Sequence, residues 1–417
     1  MENSDENSGQ GSEQQPFGRS MDRRQFLKAA GLTGVAVGVA SAFGGLAKAE
    51  ARPAQSKAAP ADVSGDCVAV LGLGAGPVFY PDRNNTGFAL FHNGRAYLVD
   101  CGANTPNKFY RLGVTFDKIK GLFFTHYHFD HTAGYADLLS RGFQANQPAT
   151  NMKALDVYGP SLPMAGAVNG LDALSNGIMA GFASGYAIHN WTGRPVTPMP
   201  AVTNHAIDPA APGVVTVLDD PDMLVDAIQV DHDEAAGVSY AYRFTLRDGS
   251  SRPTGKVVVF SGDRTHYNAR RDPSSAYYAP GGPGYGKPPY FPEHPTNTEF
   301  QQAFKAFALG ATVLVHEVSL RSWANKIADP NANPFMNMLY WHLIDSHADV
   351  SEIPIIARDA NVGTVVLSHY SNIDDTYTLT QARDLCYQGV IAANYTASRR
   401  IYGGKIIAPL EGDVIRF

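Results

Sequence analysis

The chain has 417 residues, of which 44% are hydrophobic and 17% charged, a composition that excludes a disordered protein or a coiled coil. Its 33 basic residues against 39 acidic ones give a net charge of −6, which argues against general nucleic-acid binding through a basic face. Its cysteines, Cys67, Cys101 and Cys386, are too few and too scattered for a disulfide framework or a structural zinc site.

The first 49 residues have the pattern of an export signal. A polar start, which we expect to be disordered, leads to Arg23-Arg24 and Phe26-Leu27-Lys28, and then to a mild apolar run and the small-x-small cleavage site Ala47-Lys48-Ala49. The pattern resembles a twin-arginine signal, which implies the twin-arginine translocase as a partner and a periplasmic or secreted protein. The alternatives are an N-terminal membrane helix and a chance Arg pair, although the Gly- and Ala-rich run would bury little apolar area.

Beyond a linker predicted at 50–64, strands and helices alternate as in a layered α/β fold. Strands are predicted at 67–73, 87–92, 95–100, 119–125, 214–218, 224–231, 238–246, 256–261, 312–316, 363–368 and 405–408. Helices are predicted at 106–112, 297–308, 335–345, 351–361 and 379–390, with another beginning over 133–140. Residues 161–213, rich in Gly, Ala, Met and Pro, and 272–296, dense in Pro, Gly and Tyr, are predicted as insertions.

The most informative segment follows the predicted strand at 119–125 and contains His126, His128, Asp130 and His131. Three imidazoles and a carboxylate in so short a loop are unfavourable together unless something binds them. Neutral imidazole nitrogens and carboxylate oxygens are ligands that Zn²⁺ prefers. Because they alternate, His126 and His128 can face one metal, while Asp130 and His131 turn toward a second.

This His-x-His-x-Asp-His pattern is the signature of the metallo-β-lactamase superfamily, which the chain resembles over most of residues 67–410. The resemblance implies a four-layer αββα fold over 65–417, with two mixed β-sheets between helices. It also implies two Zn²⁺ ions, with iron or manganese as alternatives. The remaining ligands that it implies each follow a predicted strand: His232, the bridging Asp263, and His369.

Within the superfamily, the chain is most similar to the branch of ribonuclease Z and the metallo-β-lactamase-fold arylsulfatases. The similarity rests on Leu71-Gly72-Leu73-Gly74, Leu98-Val99-Asp100-Cys101-Gly102, His316-Glu317 and His347. It implies that His316 and Glu317 support the metal ligands and that His347 contacts the substrate or helps to protonate the leaving group. Arg264, which follows the bridging carboxylate, is a candidate for binding an anionic substrate, with a plain surface arginine as the equal alternative.

The chain also departs from ribonuclease Z. The short interval between His232 and Asp263 leaves no room for the long arm with which that enzyme grips tRNA. Arg264 stands where that family usually has Thr, and the residues after His369 lack its typical Arg-Tyr pair. Together with the acidic net charge, these differences predict that nucleic acid is not the substrate.

The resemblance therefore predicts an exported dinuclear zinc hydrolase that cleaves a small anionic sulfate or phosphate (di)ester by attack of a metal-bridging hydroxide. Asp130 would orient or deprotonate the nucleophile, and His347 would protonate the leaving oxygen. The main alternative is a lactonase or another ester or amide hydrolase on the same fold. A ribonuclease Z-type endonuclease and a di-iron oxidoreductase are weaker alternatives, and a homodimer is considered as well.

Overall fold

The computed structural model describes residues 61–76, 79–143, 151–161, 170–190, 201–208, 213–232, 238–268, 274–275, 277–280, 296–322, 334–370, 377–396 and 399–417. The predicted export signal, most of the predicted linker and most of the predicted insertion at 272–296 lie outside these residues. Among the helices that the structure describes, none is both long and apolar enough to cross a membrane.

Strands and helices alternate along most of the described chain. The strands are β1 (Cys67–Gly72), β2 (Gly87–His92), β3 (Arg95–Val99), β4 (Ile119–Phe123), β5 (Leu155–Pro160), β6 (Val202–Ile207), β7 (Val214–Asp219), β8 (Met223–Val230), β9 (Ser239–Arg247), β10 (Pro253–Phe260), β11 (Val313–Val318), β12 (Thr364–Tyr370), β13 (Tyr395–Thr396), β14 (Arg399–Arg400), β15 (Lys405–Ile407) and β16 (Val414–Arg416). The helices are α1 (Thr105–Arg111), α2 (Phe129–Thr132), α3 (Tyr135–Gly142), α4 (Gly170–Gly181), α5 (Ala183–Asn190), α6 (Asn297–Phe307), α7 (Pro334–Asp345), α8 (Ile353–Asp359) and α9 (Leu379–Ala393), with a 3₁₀ turn at Phe116–Lys118.

Two mixed sheets of seven strands each form the centre of the fold. The first has the order β16-β1-β2-β3-β4-β5-β6; its strands are antiparallel from β16 to β3 and parallel from β3 to β6. The second has the order β15-β12-β11-β10-β9-β8-β7; its strands are parallel from β15 to β10 and antiparallel from β10 to β7. Each sheet is therefore parallel on one side and antiparallel on the other.

The first sheet packs apolar side chains on both of its faces. Successive side chains of a strand point to opposite sides, so one strand contributes to two different cores. In β1, Val68 and Val70 belong to the core shared with the second sheet, whereas Ala69 and Leu71 belong to a separate core with the helices. That outer core includes Phe109 of α1, Leu138 of α3 and Leu171 of α4. The near-continuous apolar sequence of β1 follows from this burial on both faces.

Aromatic side chains connect the two sheets. Phe123 of β4 stacks on Tyr158 of β5 at 4.5 Å between ring centroids and meets Phe244 of β9 edge-on at 5.1 Å. On its far side the second sheet is covered by α6, α8 and α9 through Phe304, Ile356 and Val390, among other residues. The layers run helices, sheet, sheet, helices, which confirms the predicted four-layer αββα metallo-β-lactamase fold.

Five strands were not predicted from the sequence: β5, β6, β16 and the two-residue strands β13 and β14. Within 161–213, which the sequence predicts as part helix and part loop, the described residues form α4, α5 and also β6, an edge strand. β6 contains the polar residues Thr203, Asn204 and His205, so its sequence lacks the apolar pattern that predicts a strand. An edge strand tolerates polar residues because much of its surface is exposed. β5 lies between predicted elements, and β16 extends the fold beyond the last predicted strand at 405–408. With only three residues, β16 is too short to show an alternating pattern, but it pairs with Cys67–Ala69.

Gly134 lets the start of α3 pack closely on the loop after β3. A Cβ at this position would lie 2.2 Å from the carbonyl oxygen of Gly102, whereas a Cβ at Gly177, inside α4, would meet no atom within 4 Å. We expect Gly134→Ala to lower the free energy of unfolding by about 1–3 kcal/mol, because backbone must move to admit the methyl group. Gly177→Ala should raise it by about 0.5–1 kcal/mol, since alanine is the better helix former.

Thermal unfolding of the two variants, followed by circular dichroism, tests this pair. Shifts of the same sign and size in both would show that the close approach at Gly134 does not constrain the fold.

Candidate metal centre

The predicted metal ligands lie at one edge of the two sheets. They come after β4, β8 and β10 and at the end of β12, and β8, β10 and β12 all run in the same direction. The carboxyl ends of strands that run together meet at the same edge of a sheet. The structure in this way brings together side chains that are far apart in sequence: His126, His128, Asp130, His131, His232, Asp263 and His369.

One group within this cluster consists of His126, His128, His232 and Asp263, whose ligand atoms lie within 4.8 Å of one another. Nδ1 of His128 is 3.0 Å from Nε2 of His126 and 3.3 Å from Nε2 of His232. Burial lowers the pKa of His128 to about 4 and holds the pKa values of His126 and His232 well below the usual value. All three rings are therefore neutral near pH 7, the form in which imidazole binds a metal.

A second group consists of Asp130, His131, Asp263 and His369. Nε2 of His369 is 3.1 Å from Oδ2 of Asp130 and 3.0 Å from Oδ2 of Asp263. Burial alone would lower the pKa of His369, but Asp263 and Asp130 more than reverse this and raise it to about 10. The carboxylates of this group thus attract positive charge. Protons on the imidazole rings provide it in the metal-free site, and a divalent cation would provide it when bound.

Asp263 belongs to both groups through one oxygen atom. Its Oδ2 is 3.8 Å from Nε2 of both His126 and His232, 3.3 Å from Nε2 of His131 and 3.0 Å from Nε2 of His369. The side chain is buried, at 2% exposure. A carboxylate in this position can contact a cation in either group, which is the role that the sequence predicts for it.

The donor set fits divalent cations. Nε2 of His131 is buried without a hydrogen-bond partner, although it faces the carboxylates of Asp130 and Asp263 at 3.5 and 3.3 Å. A buried polar atom of this kind normally has a partner, and a cation between the ring and the carboxylates would supply one. Nitrogen and carboxylate oxygen without sulfur suit Zn²⁺, Mn²⁺ or Fe²⁺.

Asp100 fixes the orientation of His131. Its Oδ2 lies 2.8 Å from Nδ1 of His131, and its Oδ1 accepts a hydrogen bond of 2.8 Å from the backbone N–H of Thr125. With Nδ1–H donated to Asp100, the lone pair on Nε2 of His131 faces the metal centre. The sequence analysis noted the segment around Asp100 but did not assign the residue to the site, because a carboxylate after a strand has no spacing that distinguishes a supporting role.

Backbone groups orient other members of the cluster. Nδ1 of His232 is 2.7 Å from the carbonyl oxygen of Ser346, which directs Nε2 toward the metal centre. The N–H of Gly76 donates a hydrogen bond of 2.5 Å to Oδ2 of Asp130, and Gly76 has a φ of +75°. His369 has a φ of +49° and lies where the pairing of β11 with β12 shifts register. That irregularity places an extra residue in β12 at the site.

Glu317 and His347 lie beside the second group of ligands. Oε2 of Glu317 is 2.7 Å from Nδ1 of His347 and 3.7 Å from Nδ1 of His369. Burial, and next to it the charge of Asp263, raises the pKa of Glu317, whereas burial lowers the pKa of His347 to about 3. The two groups are therefore placed to pass a proton between them across this contact.

His342 of α7 was missed in the sequence analysis. Its Nε2 lies 3.2 Å from Nε2 of His347, and its ring centroid lies 6.0 Å from that of His128 and 5.8 Å from that of His232. Its side chain is half-buried, so it lies at the rim of the centre. The sequence carries only a weak signal, a single histidine in a mostly apolar helix five positions before His347.

The structure does not support substrate binding by Arg264. The side chain is only 2% exposed; its guanidinium lies 4.1 Å from the ring centroid of Phe304 and 3.3 Å from Nε2 of His316. The backbone N–H of Arg264 donates to Oε1 of Glu317. Arg264 and His316 thus pack behind Glu317, away from solvent, because burial against an aromatic ring favours the guanidinium there. Arg264 follows Asp263 in the sequence, but its side chain turns inward rather than toward a substrate.

Comparison with known proteins gives partial matches to one family and longer matches to another. Residues 68–157 match a family model described as anti-Pycsar protein Apyc1. A ribonuclease Z of Shouchella clausii is 27% identical over 316 residues, which cover 72% of this chain and 86% of the relative. A ribonuclease Z of a Synechococcus species is 25% identical over 290 residues, which cover 66% of this chain and 76% of the relative. The predicted similarity to ribonuclease Z is thereby confirmed.

Solved structures with some likeness include the metallo-β-lactamase-fold protein YhfI from Bacillus subtilis, which is 16% identical with a TM-score of 0.46 and covers 84% of this chain and 99% of that protein. The human short-form tRNase Z is 17% identical with a TM-score of 0.45, covering 73% of this chain and 92% of that protein.

The two ligand groups make different predictions for metal content. We expect about two divalent ions per chain after loading with Zn²⁺, since two-metal sites have this kind of shared carboxylate. His369→Ala should retain about one ion, because it damages only the second group, and Asp263→Ala should retain less than one. Elemental analysis after gel filtration measures this, with His205→Ala, an exposed histidine outside both groups, as the matched control.

A wild-type content of one ion, unchanged in His369→Ala, would contradict the second group. An unaltered content in Asp263→Ala would contradict the shared role of its carboxylate.

Proposed function

We propose that this protein is a metal-dependent hydrolase that cleaves a phosphate (di)ester or a sulfate ester. The observation that carries the proposal is the pair of His/Asp groups sharing Asp263, with the Glu317–His347 pair next to the second group. Such a centre joins metal-binding residues to a residue pair that can transfer a proton. Bound divalent cations would supply Lewis-acid activation of water and neutralise negative charge that develops on the ester.

Asp130 is suited to orient the attacking water. Its carboxylate is buried, which alone would raise its pKa, but His131 and His369 lower it, so the group stays ionised. The N–H of Gly76 holds Oδ2 in place. An ionised, fixed carboxylate can accept a hydrogen bond from water and take its proton as bond formation begins.

His347 and Glu317 are suited to deliver a proton to the leaving oxygen. A neutral His347 with its proton on Nε2 can give that proton to the leaving group, while Nδ1 takes the proton of Glu317 across 2.7 Å. The step moves one proton from the pair to the leaving group and leaves the pair with one negative charge. The N–H of Arg264 at Oε1 of Glu317 stabilises the carboxylate that is formed.

The choice of phosphate over lactone rests on the curated relatives, which are named ribonuclease Z. A ribonuclease acts on a phosphodiester, so these names favour phosphorus chemistry in this chain. Sulfate esters share the anionic tetrahedral centre and stay within the proposal. A lactone has a different electrophile, an acyl carbon, and its hydrolysis is the alternative that the substrate panel tests.

A ribonuclease Z-type endonuclease is the second candidate, because the match to these relatives covers most of their length. In the described residues, the interval from His232 to Asp263 is filled by the hairpin of β9 and β10, joined by a short turn at 248–252. The small-molecule ester is preferred, since this compact hairpin has no extended arm. A precursor tRNA with a 3′ trailer belongs in any substrate panel for this reason.

Export is a further part of the proposal and rests on the residues around Arg23-Arg24 alone. A folded, metal-loaded enzyme is the kind of cargo that twin-arginine export carries. The substrate would then be met outside the cytoplasm.

The role of His347 predicts a dependence on the leaving group. In His347→Ala, hydrolysis of a diester with an alkyl leaving group should fall by about 10²–10⁴-fold, since an alkoxide needs a proton to depart. Hydrolysis of bis(4-nitrophenyl) phosphate should fall much less, because nitrophenolate leaves without one. The measurement is kcat for both substrates, together with aryl sulfate, acyl-homoserine lactone and precursor tRNA, on Zn²⁺-loaded protein.

His205→Ala is the control, because it removes an exposed imidazole that pairs with Asp156 outside the metal centre. It should leave kcat unchanged for every substrate. Turnover of the lactone alone, unaffected by His347→Ala, would overturn the proposed function. Turnover of precursor tRNA alone would favour the second candidate.

Replacing the pair Arg23-Arg24 by Lys-Lys should abolish export while leaving folding intact, because the twin arginines are read by the translocase. Fractionation of cells producing the full chain measures this: wild type should be found outside the cytoplasm and the variant inside it. Equal distribution of both would contradict the export proposal without affecting the hydrolase.

A further inference from the structure

We propose that Tyr277, Tyr340 and Trp341 form a subsite for a flat aromatic or heteroaromatic group, on the part of the ester that does not leave. The inference rests on the proposed function, since it assigns a substrate class to the same metal centre. The three aromatic residues belong neither to the metal-ligand groups nor to the Glu317–His347 pair.

The three rings form one connected cluster. Tyr277 meets Trp341 at 5.3 Å between ring centroids with an angle of 85° between ring planes, and Tyr340 meets Trp341 at 5.6 Å and 88°. Tyr278 continues the cluster, at 5.0 Å and 79° from Tyr277. Rings that meet at right angles form corners, and a corner of two aromatic faces fits a third planar ring by stacking on one and meeting the other edge-on.

The cluster begins beside the metal centre. Trp341 directly precedes His342 on α7, and Nε2 of His342 is 3.2 Å from Nε2 of His347. Neighbouring residues of a helix lie about 1.5 Å apart along the axis, and their side chains point in different directions around it. The backbone of Trp341 is therefore next to that of His342, and α7 presents the two rings on adjoining parts of its surface.

The exposure of these rings separates them from the aromatic core. Phe123 and Phe244 between the sheets are fully buried, whereas Tyr277, Tyr340 and Trp341 are all half-buried. Each of the three rings therefore presents part of its surface outside the core. A small-molecule site typically combines an apolar wall with a few convergent polar groups, and here the aromatic residues of α7 adjoin His342.

The test keeps the leaving group constant and varies the other substituent. Wild type and variants are given 4-nitrophenyl phosphodiesters whose second group is phenyl, cyclohexyl or methyl, and kcat/KM is measured for each. Wild type should prefer phenyl over both others by about tenfold, which corresponds to about 1.4 kcal/mol of transition-state binding. Trp341→Ala should lose that preference through KM, and Trp341→Phe should keep most of it.

Tyr387→Ala is the matched control, because Tyr387 is a partly exposed aromatic residue on α9 outside the cluster. It should leave the preference unchanged. An equal preference for phenyl in wild type and Trp341→Ala would overturn the inference, as would a preference for cyclohexyl equal to that for phenyl. If Trp341→Ala does not fold, Tyr277→Ala takes its place, and unchanged discrimination in that variant would overturn the inference equally.

A binding measurement separates failure of the subsite from failure of the proposed function. Calorimetric titration of Zn²⁺-loaded protein with phenylphosphonate and with methylphosphonate requires no turnover. Tighter binding of phenylphosphonate that depends on Trp341, without hydrolysis of any ester, would support the subsite and overturn the hydrolase. Equal binding of both phosphonates by wild type, with diester hydrolysis intact, would overturn the subsite and leave the hydrolase standing.

Discussion

The carboxylate of Asp263 is the interaction on which the site depends. One oxygen atom lies within 4 Å of five imidazole nitrogens that come from four separate segments of the chain. Burying that charge would cost several kcal/mol without compensation. His369 and His131 provide the compensating positive charge and lower the pKa of Asp263 against the effect of burial. At this edge, the strand ends of the two sheets therefore surround one buried negative charge with imidazoles.

The connections between the sheets at this edge are made by backbone. The N–H of Tyr370, just after His369, donates to the carbonyl oxygen of Leu73, directly after β1 of the first sheet, and the N–H of Tyr240 donates to the carbonyl oxygen of Thr125, shortly after β4. Each bond joins a residue beside a ligand to the opposite sheet. A shift of one sheet against the other would break them and displace His369, so the metal centre and the sheet packing constrain each other.

Much of this could be predicted from the sequence, for a physical reason. Ligands such as His126 and Asp263 stand at the ends of apolar strands, and both the strand and the clustered ionisable residues leave clear patterns. The features that could not be predicted depend on contacts between residues far apart in the chain, and such contacts leave no pattern in the sequence. Arg264 turns inward onto Phe304 because of a neighbour that is distant in sequence, and the carbonyl of Ser346 orients His232 without any side chain being involved.

In the proposed hydrolase, residues at the strand ends carry out the chemistry, and residues at the rim select the substrate. Groups that orient the ligands are buried: Asp100 lies directly after β3, and Glu317 lies near the end of β11. Half-buried groups such as Trp341 and His342 lie on α7, one layer outside the sheets. In the proposed hydrolase, a change in α7 can alter which ester fits while the ligands keep their positions, because no ligand of either group lies on that helix. The same metal centre can thus serve different substrates, and the family resemblance alone does not determine which one this chain uses.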